Sequence, residues 1–184
     1  MSRTALLAAA VLFLAASAPA IAQTASVTAR VAQGEAAAEA RQIPGEGVLL
    51  RIALPDGRVQ EFPGLGEELI PLSGKRGDPI LLTRDIDKNG SDEIVIRASV
   101  PPKAGAIVIF RWDDTAAEFV PVEFTNDRDQ TTPYLIVDFA MPVRIDNSGT
   151  IEAEYMTTRQ DGRRSYHAAR YRWNGKGYTH SADN

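Results

Sequence analysis

The sequence contains no cysteine, so disulfide bonds make no contribution to its stability. Small exported domains with thin cores often depend on disulfides, whereas a chain of 184 residues is long enough to bury a sufficient core without them. The lack of cysteine, together with only two histidines, also argues against a zinc site. We therefore expect a fold that depends on its hydrophobic core and not on disulfide bonds.

Long apolar runs are absent beyond the N-terminus. Residues 1–22 have the three parts of a secretory signal, namely the basic residue Arg3, an apolar run from Ala5 to Ala16, and a small-residue exit that ends at Ala22. This run is shorter than the ~20 residues that a membrane-spanning helix needs. We predict cleavage after Ala22, export to the periplasm or the extracellular space, and no membrane span.

Excess positive charge is also missing. The chain has 20 basic and 24 acidic residues, and removal of the signal with Arg3 leaves a formal charge of 19 − 24 = −5. A net acidic protein without a basic stripe does not favour nucleic acid or anionic lipid as its partner. No phosphate-binding glycine loop and no nucleophile with a base at usable spacing is present, which argues against an enzyme. We expect a protein partner, whose identity and stoichiometry the sequence does not specify.

Helical periodicity is absent after residue 44. From about residue 47 onwards, short runs of β-branched and aromatic residues alternate with turn sequences such as Pro55-Asp56-Gly57. The preceding segment is rich in Ala, Gln and Glu, and we interpret it as mobile or as one short helix from Glu35 to Arg41. The predicted organisation is a signal peptide (1–22), a flexible leader (23–46) and an all-β domain (47–184).

The two halves of the predicted β domain resemble each other. When Gly90 is aligned with Gly149, the sequence RDIDKNGSDE lies over VRIDNSGTIE, and FRW downstream meets YRW. The period of about sixty residues suits a four-stranded antiparallel unit with its loops. We predict repeat units at about residues 80–125 and 140–184.

One acidic loop, Asp85 to Glu93, offers an oxygen donor at each alternate position and a glycine at the sharp turn. Ca²⁺ takes about six to eight oxygen ligands, whereas Mg²⁺ keeps several waters and rarely uses a dedicated protein cage. The alternative is an Asp/Asn/Gly turn that hydrogen-bonds only to its own backbone. The candidate ligands are Asp85, Asp87, Asn89, the carbonyl of Ser91, and Glu93.

The loop resembles the strand-loop-strand calcium motif of the FG-GAP (VCBS-type) family, which is also found in integrin α-chain propellers. The motif D-x-[DN]-x-[DN]-G-x-x-[DE] is matched at every metal position and is followed by the apolar stretch Ile94-Val95-Ile96. A helix-loop-helix calcium hand fits less well, because its bidentate Glu would fall at Ile96. The resemblance implies Ca²⁺ bound by the five candidate ligands. It also implies antiparallel, blade-like sheets, of which two or three are too few to close a propeller.

The second loop departs from this motif, because Arg144 takes its first position and Ser148 its fifth. A cation there would face a guanidinium, so we predict that this loop holds no metal. Our hypothesis is that Arg144 replaces the ion by pairing with Asp146 or Glu152.

These features predict an exported calcium-binding β-protein that acts as a protein-interaction module. Similar small exported proteins with one such loop are associated with inhibition of lysozyme-like cell-wall hydrolases, so a periplasmic inhibitor or immunity protein is the alternative. An acidic inhibitor would suit a basic hydrolase electrostatically. A hydrolase with structural calcium ranks third, since the sequence offers it no catalytic constellation.

Overall fold

The computed structural model describes residues 23–75, 77–159 and 161–181, so the predicted signal peptide lies outside the described residues. Within these ranges the chain forms fifteen β-strands in three sheets and no helix. None of the three sheets closes into a barrel. The prediction of an open all-β architecture is therefore confirmed. No helix long and apolar enough to cross a bilayer occurs in the described part of the chain.

The first sheet has four antiparallel strands in chain order: β1 (Thr24–Val31), β2 (Gly34–Ile43), β3 (Gly47–Ala53) and β4 (Val59–Phe62). The prediction of a flexible leader or short helix in residues 23–46 was wrong. Ala36, Ala38 and Ala40 are buried at every second position of β2, which is the period of a strand. Pairing of β2 with β3 crosses the predicted domain start at residue 47, so the β domain begins at β1.

The central sheet contains β5 (Leu81–Arg84), β6 (Glu93–Val100), β7 (Ala104–Asp113), β8 (Glu118–Pro121) and β11 (Leu135–Asp138). The third sheet contains β9 (Phe124–Thr125), β10 (Thr131–Thr132), β12 (Val143–Ile145), β13 (Ile151–Thr158), β14 (Arg164–Trp173) and β15 (Tyr178–Ser181). In the central sheet the strand order is β11-β7-β6-β5, and β8 also pairs with β7. In the third sheet the order is β10-β9-β15-β14-β13-β12. The segments β5–β8 and β12–β15 are antiparallel meanders that lie within the two predicted repeat units.

The central sheet is buried on both faces. Along β6, Ile94 and Ile96 pack into a core shared with the first sheet, whereas Val95 packs into a second core shared with the third sheet. Along β7, Phe110 likewise packs into the first core and Ile109 into the second. Because both faces of these strands need apolar side chains, their sequences are near-continuous hydrophobic runs. The three sheets therefore stack with the central sheet in the middle.

Candidate metal site

The acidic loop joins β5 to β6 at one end of the central sheet. The pair Arg84 and Glu93 closes its base, since these residues face each other in the antiparallel register. Carboxylate oxygens of Asp85, Asp87 and Glu93 all lie within 4.8 Å of one another. The fold thus brings together the three acidic residues among the five predicted ligands.

A sharp turn directs these carboxylates inward. Lys88 and Gly90 have φ angles of 65° and 92°, in the left-handed region that glycine adopts most readily. The Gly90 amide donates to Asp85 Oδ2 at 3.2 Å, and the Asn89 amide donates to Asp87 Oδ1 at 3.1 Å. These bonds use only part of the hydrogen-bonding capacity of the two carboxylates.

Two carboxylate oxygens in the cluster are buried and have no hydrogen-bond partner, Oε1 of Glu93 and Oδ1 of Asp85. Glu93 is only 2% exposed, and its other oxygen accepts a hydrogen bond from the Ile86 amide at 2.6 Å. An unsatisfied buried acceptor costs about 1–3 kcal/mol, and more when it is charged. A cation among the three carboxylates would satisfy both oxygens at once.

The electrostatics of the three carboxylates also favour a bound cation. The pKa of Glu93 is raised to about 7, chiefly by burial and with contributions from the charges of Asp87 and Asp85, while the hydrogen bond from the Ile86 amide opposes the shift. Burial also raises the pKa of Tyr178, with contributions from Glu93 and Asp87. Negative charge is therefore crowded in a poorly solvated space, where a divalent cation would be strongly stabilised.

The other two predicted ligands are engaged differently. The side-chain oxygen of Asn89 accepts a hydrogen bond from the Ser91 amide at 2.7 Å, while its Nδ2 donates to Asp87 Oδ2 at 3.0 Å. Asn89 thus presents nitrogen, not oxygen, to the neighbouring carboxylate, and a 180° rotation of its amide would exchange the two atoms. These are the bonds of a self-capping turn, so the loop has that feature in addition to its unpartnered carboxylate oxygens.

The second loop is stabilised by ion pairs and by its own turn. Arg144 pairs with Glu152 at 3.5 Å and with Glu154 at 2.9 Å. The hypothesised pair with Glu152 is present, whereas Asp146 has a different role. Its Oδ1 accepts hydrogen bonds from the amide and hydroxyl of Ser148 at 2.8 and 2.7 Å, and the hydroxyl bond is the main reason why its pKa is lowered.

The acidic loop is contacted by residues of the two other sheets, and the sequence analysis predicted neither contact. Asp92 lies against Arg30 of β1, and hydrogen bonds from Arg30 lower the pKa of Asp92 even though burial opposes this. On the other side, Gly149 of the second loop packs so closely on Ile86 that an added Cβ would lie 2.5 Å from the Ile86 carbonyl oxygen. No local signal could have predicted either contact, because both join segments about sixty residues apart.

Comparison with protein-family models, curated proteins and solved structures gives no match for this chain. The resemblance to the FG-GAP family, which depends on the acidic loop and on the apolar stretch Ile94-Val95-Ile96 after it, stays a prediction.

Proposed function

We propose that this protein is an exported calcium-binding β-protein that acts as a protein-interaction module, in which the ion stiffens a loop and performs no chemistry. The observation that carries the proposal is the pair of buried, unpartnered oxygens on Glu93 and Asp85, two residues whose carboxylates cluster with that of Asp87 within 4.8 Å. Buried carboxylates are normally paired or bound to metal, and in the described residues no basic side chain donates a hydrogen bond to these three carboxylates. Lys88 Nζ reaches only the main-chain carbonyl of Asp85, at 3.4 Å.

The donor set favours Ca²⁺. All five candidate ligands offer oxygen, namely Asp85, Asp87, Asn89 after rotation of its amide, the Ser91 carbonyl, and Glu93. Hard cations prefer such ligands, and a flexible loop accommodates the irregular shell of Ca²⁺ better than the octahedral shell of Mg²⁺. A single loop of this kind is expected to bind Ca²⁺ with a Kd of roughly 10⁻⁴ to 10⁻³ M, as extracellular calcium modules do.

Thermal unfolding in a calcium titration tests this proposal. At a hundred times its Kd, the ion should add about 2.7 kcal/mol to the free energy of unfolding, which is about 5–11 °C in Tm for a chain of this size. Asp87→Asn should lose this gain, whereas Asp114→Asn, in an exposed turn between β7 and β8, should retain it. An unchanged Tm at about 100 mM Ca²⁺, which is a hundred times the weaker limit of this Kd range, would refute the proposal.

An exposed apolar groove supports the interaction role. It has a volume of about 560 Å³, and its lining includes Phe62, Pro101, Tyr134 and Ile136. Tyr134 and Ile136 are 41% and 53% exposed, so these two large side chains offer apolar surface to a protein partner. Polar substitution of Ile136 should therefore weaken partner binding and leave calcium binding unchanged.

The alternative, an inhibitor of a cell-wall hydrolase, is favoured by one observation. The hairpin of β13 and β14 extends beyond its neighbours, because β12 pairs only as far as Ala153 and β15 only as far as Arg170. Its tip carries three exposed arginines, Arg159, Arg163 and Arg164. Guanidinium groups on a projecting hairpin suit the paired carboxylates of a glycoside hydrolase cleft.

Inhibition assays on a panel of muramidases test this alternative. If it is correct, the protein should slow hydrolysis of cell-wall substrate, and Arg163→Glu with Arg164→Glu should abolish the effect without changing Tm by more than a few degrees. Full activity of every enzyme in the panel at micromolar concentrations of the protein would leave the interaction module as the only proposed role.

A further inference from the structure

The free edge of β1 is covered by the central sheet and by the acidic loop. Strand β1 is outermost in the first sheet, so the edge that faces away from β2 has no strand partner within that sheet. On this edge the Thr28 carbonyl accepts a hydrogen bond from Thr83 Oγ1 of β5 at 3.0 Å. The Arg30 carbonyl accepts from the Asp92 amide at 2.7 Å, and the Arg30 amide donates to Asp92 Oδ2 at 2.9 Å.

Asp92 also forms an ion pair with the Arg30 side chain. Its two oxygens accept hydrogen bonds from Nε and Nη2 of Arg30, both at 3.2 Å. The Asp92 side chain is only 9% exposed, whereas that of Arg30 is 72% exposed. The position of the buried carboxylate is therefore fixed by β1, through the backbone and the side chain of one residue.

Asp92 is not itself a predicted ligand, but it lies between two of them in the chain. Ser91 precedes it and Glu93 follows it, so both share peptide bonds with the residue that β1 holds. Asp92 faces β1 while Glu93 faces Asp85 and Asp87, as expected for successive side chains of an extended segment. A shift of Asp92 relative to β1 must therefore move the Ser91 carbonyl and the Glu93 carboxylate.

We infer that cation binding at the acidic loop and docking of β1 through the Arg30–Asp92 contact are one coupled equilibrium. This inference rests on the proposed calcium site. An ion that fixes Ser91 and Glu93 also fixes Asp92 where it receives Arg30, so occupancy of the loop stabilises the covered state of the β1 edge. The coupling is reciprocal, because any gain that the ion gives to the contact must equal the gain that the contact gives to ion binding.

Amide hydrogen exchange on the full chain, purified after export, tests the inference at the contact itself. The Arg30 and Asp92 amides both donate across it and serve as the reporters. Saturating CaCl₂ should slow exchange of both amides about five- to tenfold relative to EGTA. Arg30→Gln removes the two side-chain hydrogen bonds and keeps the two main-chain ones, so it should reduce that difference and weaken calcium binding by up to about fivefold. The matched control is Arg41→Gln, whose ion pair with Glu39 on the same strand does not reach the loop.

The outcomes separate this inference from the proposed function. If calcium raises Tm but leaves exchange of the two reporter amides unchanged, the coupling is refuted and the calcium site stands. If calcium leaves Tm unchanged, the site and the coupling are both refuted. Retention of the full calcium response in folded Arg30→Gln also refutes the coupling. Should that variant fail to fold, the measurement on the unsubstituted protein still decides the question.

Discussion

Replacement of Glu93 by glutamine should stabilise the protein when calcium is absent and make it less stable than the natural protein when calcium is bound. Glutamine keeps the shape of the side chain and an oxygen for the Ile86 amide, but it removes a charge from a buried position among other carboxylates. Without a cation, the ionised Glu93 is disfavoured by desolvation and by repulsion from Asp87 and Asp85. The variant should therefore be more stable than the natural protein in EGTA and unable to gain stability from calcium.

The magnitude follows from the pKa of Glu93, which is raised from 4.5 to about 7 in the folded state. Because the folded-state pKa is the higher one, the folded protein binds more protons than the unfolded chain in this interval, and stability falls as pH rises through it. The contribution is fully present below pH 4.5 and is lost above pH 7. The whole interval corresponds to about 3 kcal/mol, or roughly 6–12 °C in Tm.

Urea unfolding in EGTA at pH 5 and pH 8 measures this effect. The natural protein should lose up to about 3 kcal/mol more than Glu93→Gln between the two pH values, with the exposed Glu46→Gln as the control. In saturating calcium at pH 8 the order should reverse, because the cation removes the cost of ionising Glu93 in the natural protein alone. An equal pH dependence for the two proteins, or a variant that is less stable in EGTA at pH 8, would refute the reasoning.

Two further substitutions test the packing around the loop and beneath the central sheet. Gly149→Ala should destabilise the protein by about 1–3 kcal/mol more than Gly175→Ala in urea unfolding, since both glycines have positive φ but only the former would press on the Ile86 carbonyl. Equal destabilisation by the two substitutions would show that the contact between Gly149 and Ile86 can adjust at no cost in free energy. Arg97→Lys should cost about 3 kcal/mol or more by the same measurement, because Arg97 is fully buried and donates to five carbonyls between positions 71 and 141. Arg51→Lys, on an exposed position of β3, is the control, and a similar cost for both would contradict this role.

The all-β fold from residue 47 onwards could be predicted because its signals are local. Turn sequences such as Pro55-Asp56-Gly57 separate short β-branched runs, and each strand of the meanders pairs with the next one along the chain. The acidic loop could be recognised for the same reason, since all its candidate ligands lie within nine residues. A motif this short needs no knowledge of long-range contacts.

Strands β1 and β2 could not be predicted from the same signals. Alanine has little preference for strands, and β2 alternates buried Ala36, Ala38 and Ala40 with an exposed Ala37, so hydrophobicity does not reveal its period. Small side chains become informative only when their partners are known. Ala38 and Ala40 lie opposite the larger buried side chains of Ile52 and Leu50 in β3.

The topology separates the candidate ion site from the candidate binding surface. The acidic loop joins β5 to β6, and it meets the first sheet at Arg30 and the third sheet at Gly149. The apolar groove is lined by residues of β4, β7 and β11. Strand β11 is at one edge of the central sheet, whereas β5, which leads into the acidic loop, is at the opposite edge. An ion at the loop would therefore act on how the three sheets hold together, whereas the shape of the groove would select the partner. Loss of the loop charge and loss of groove apolarity should accordingly give separable defects, the first in calcium-dependent stability and the second in partner affinity.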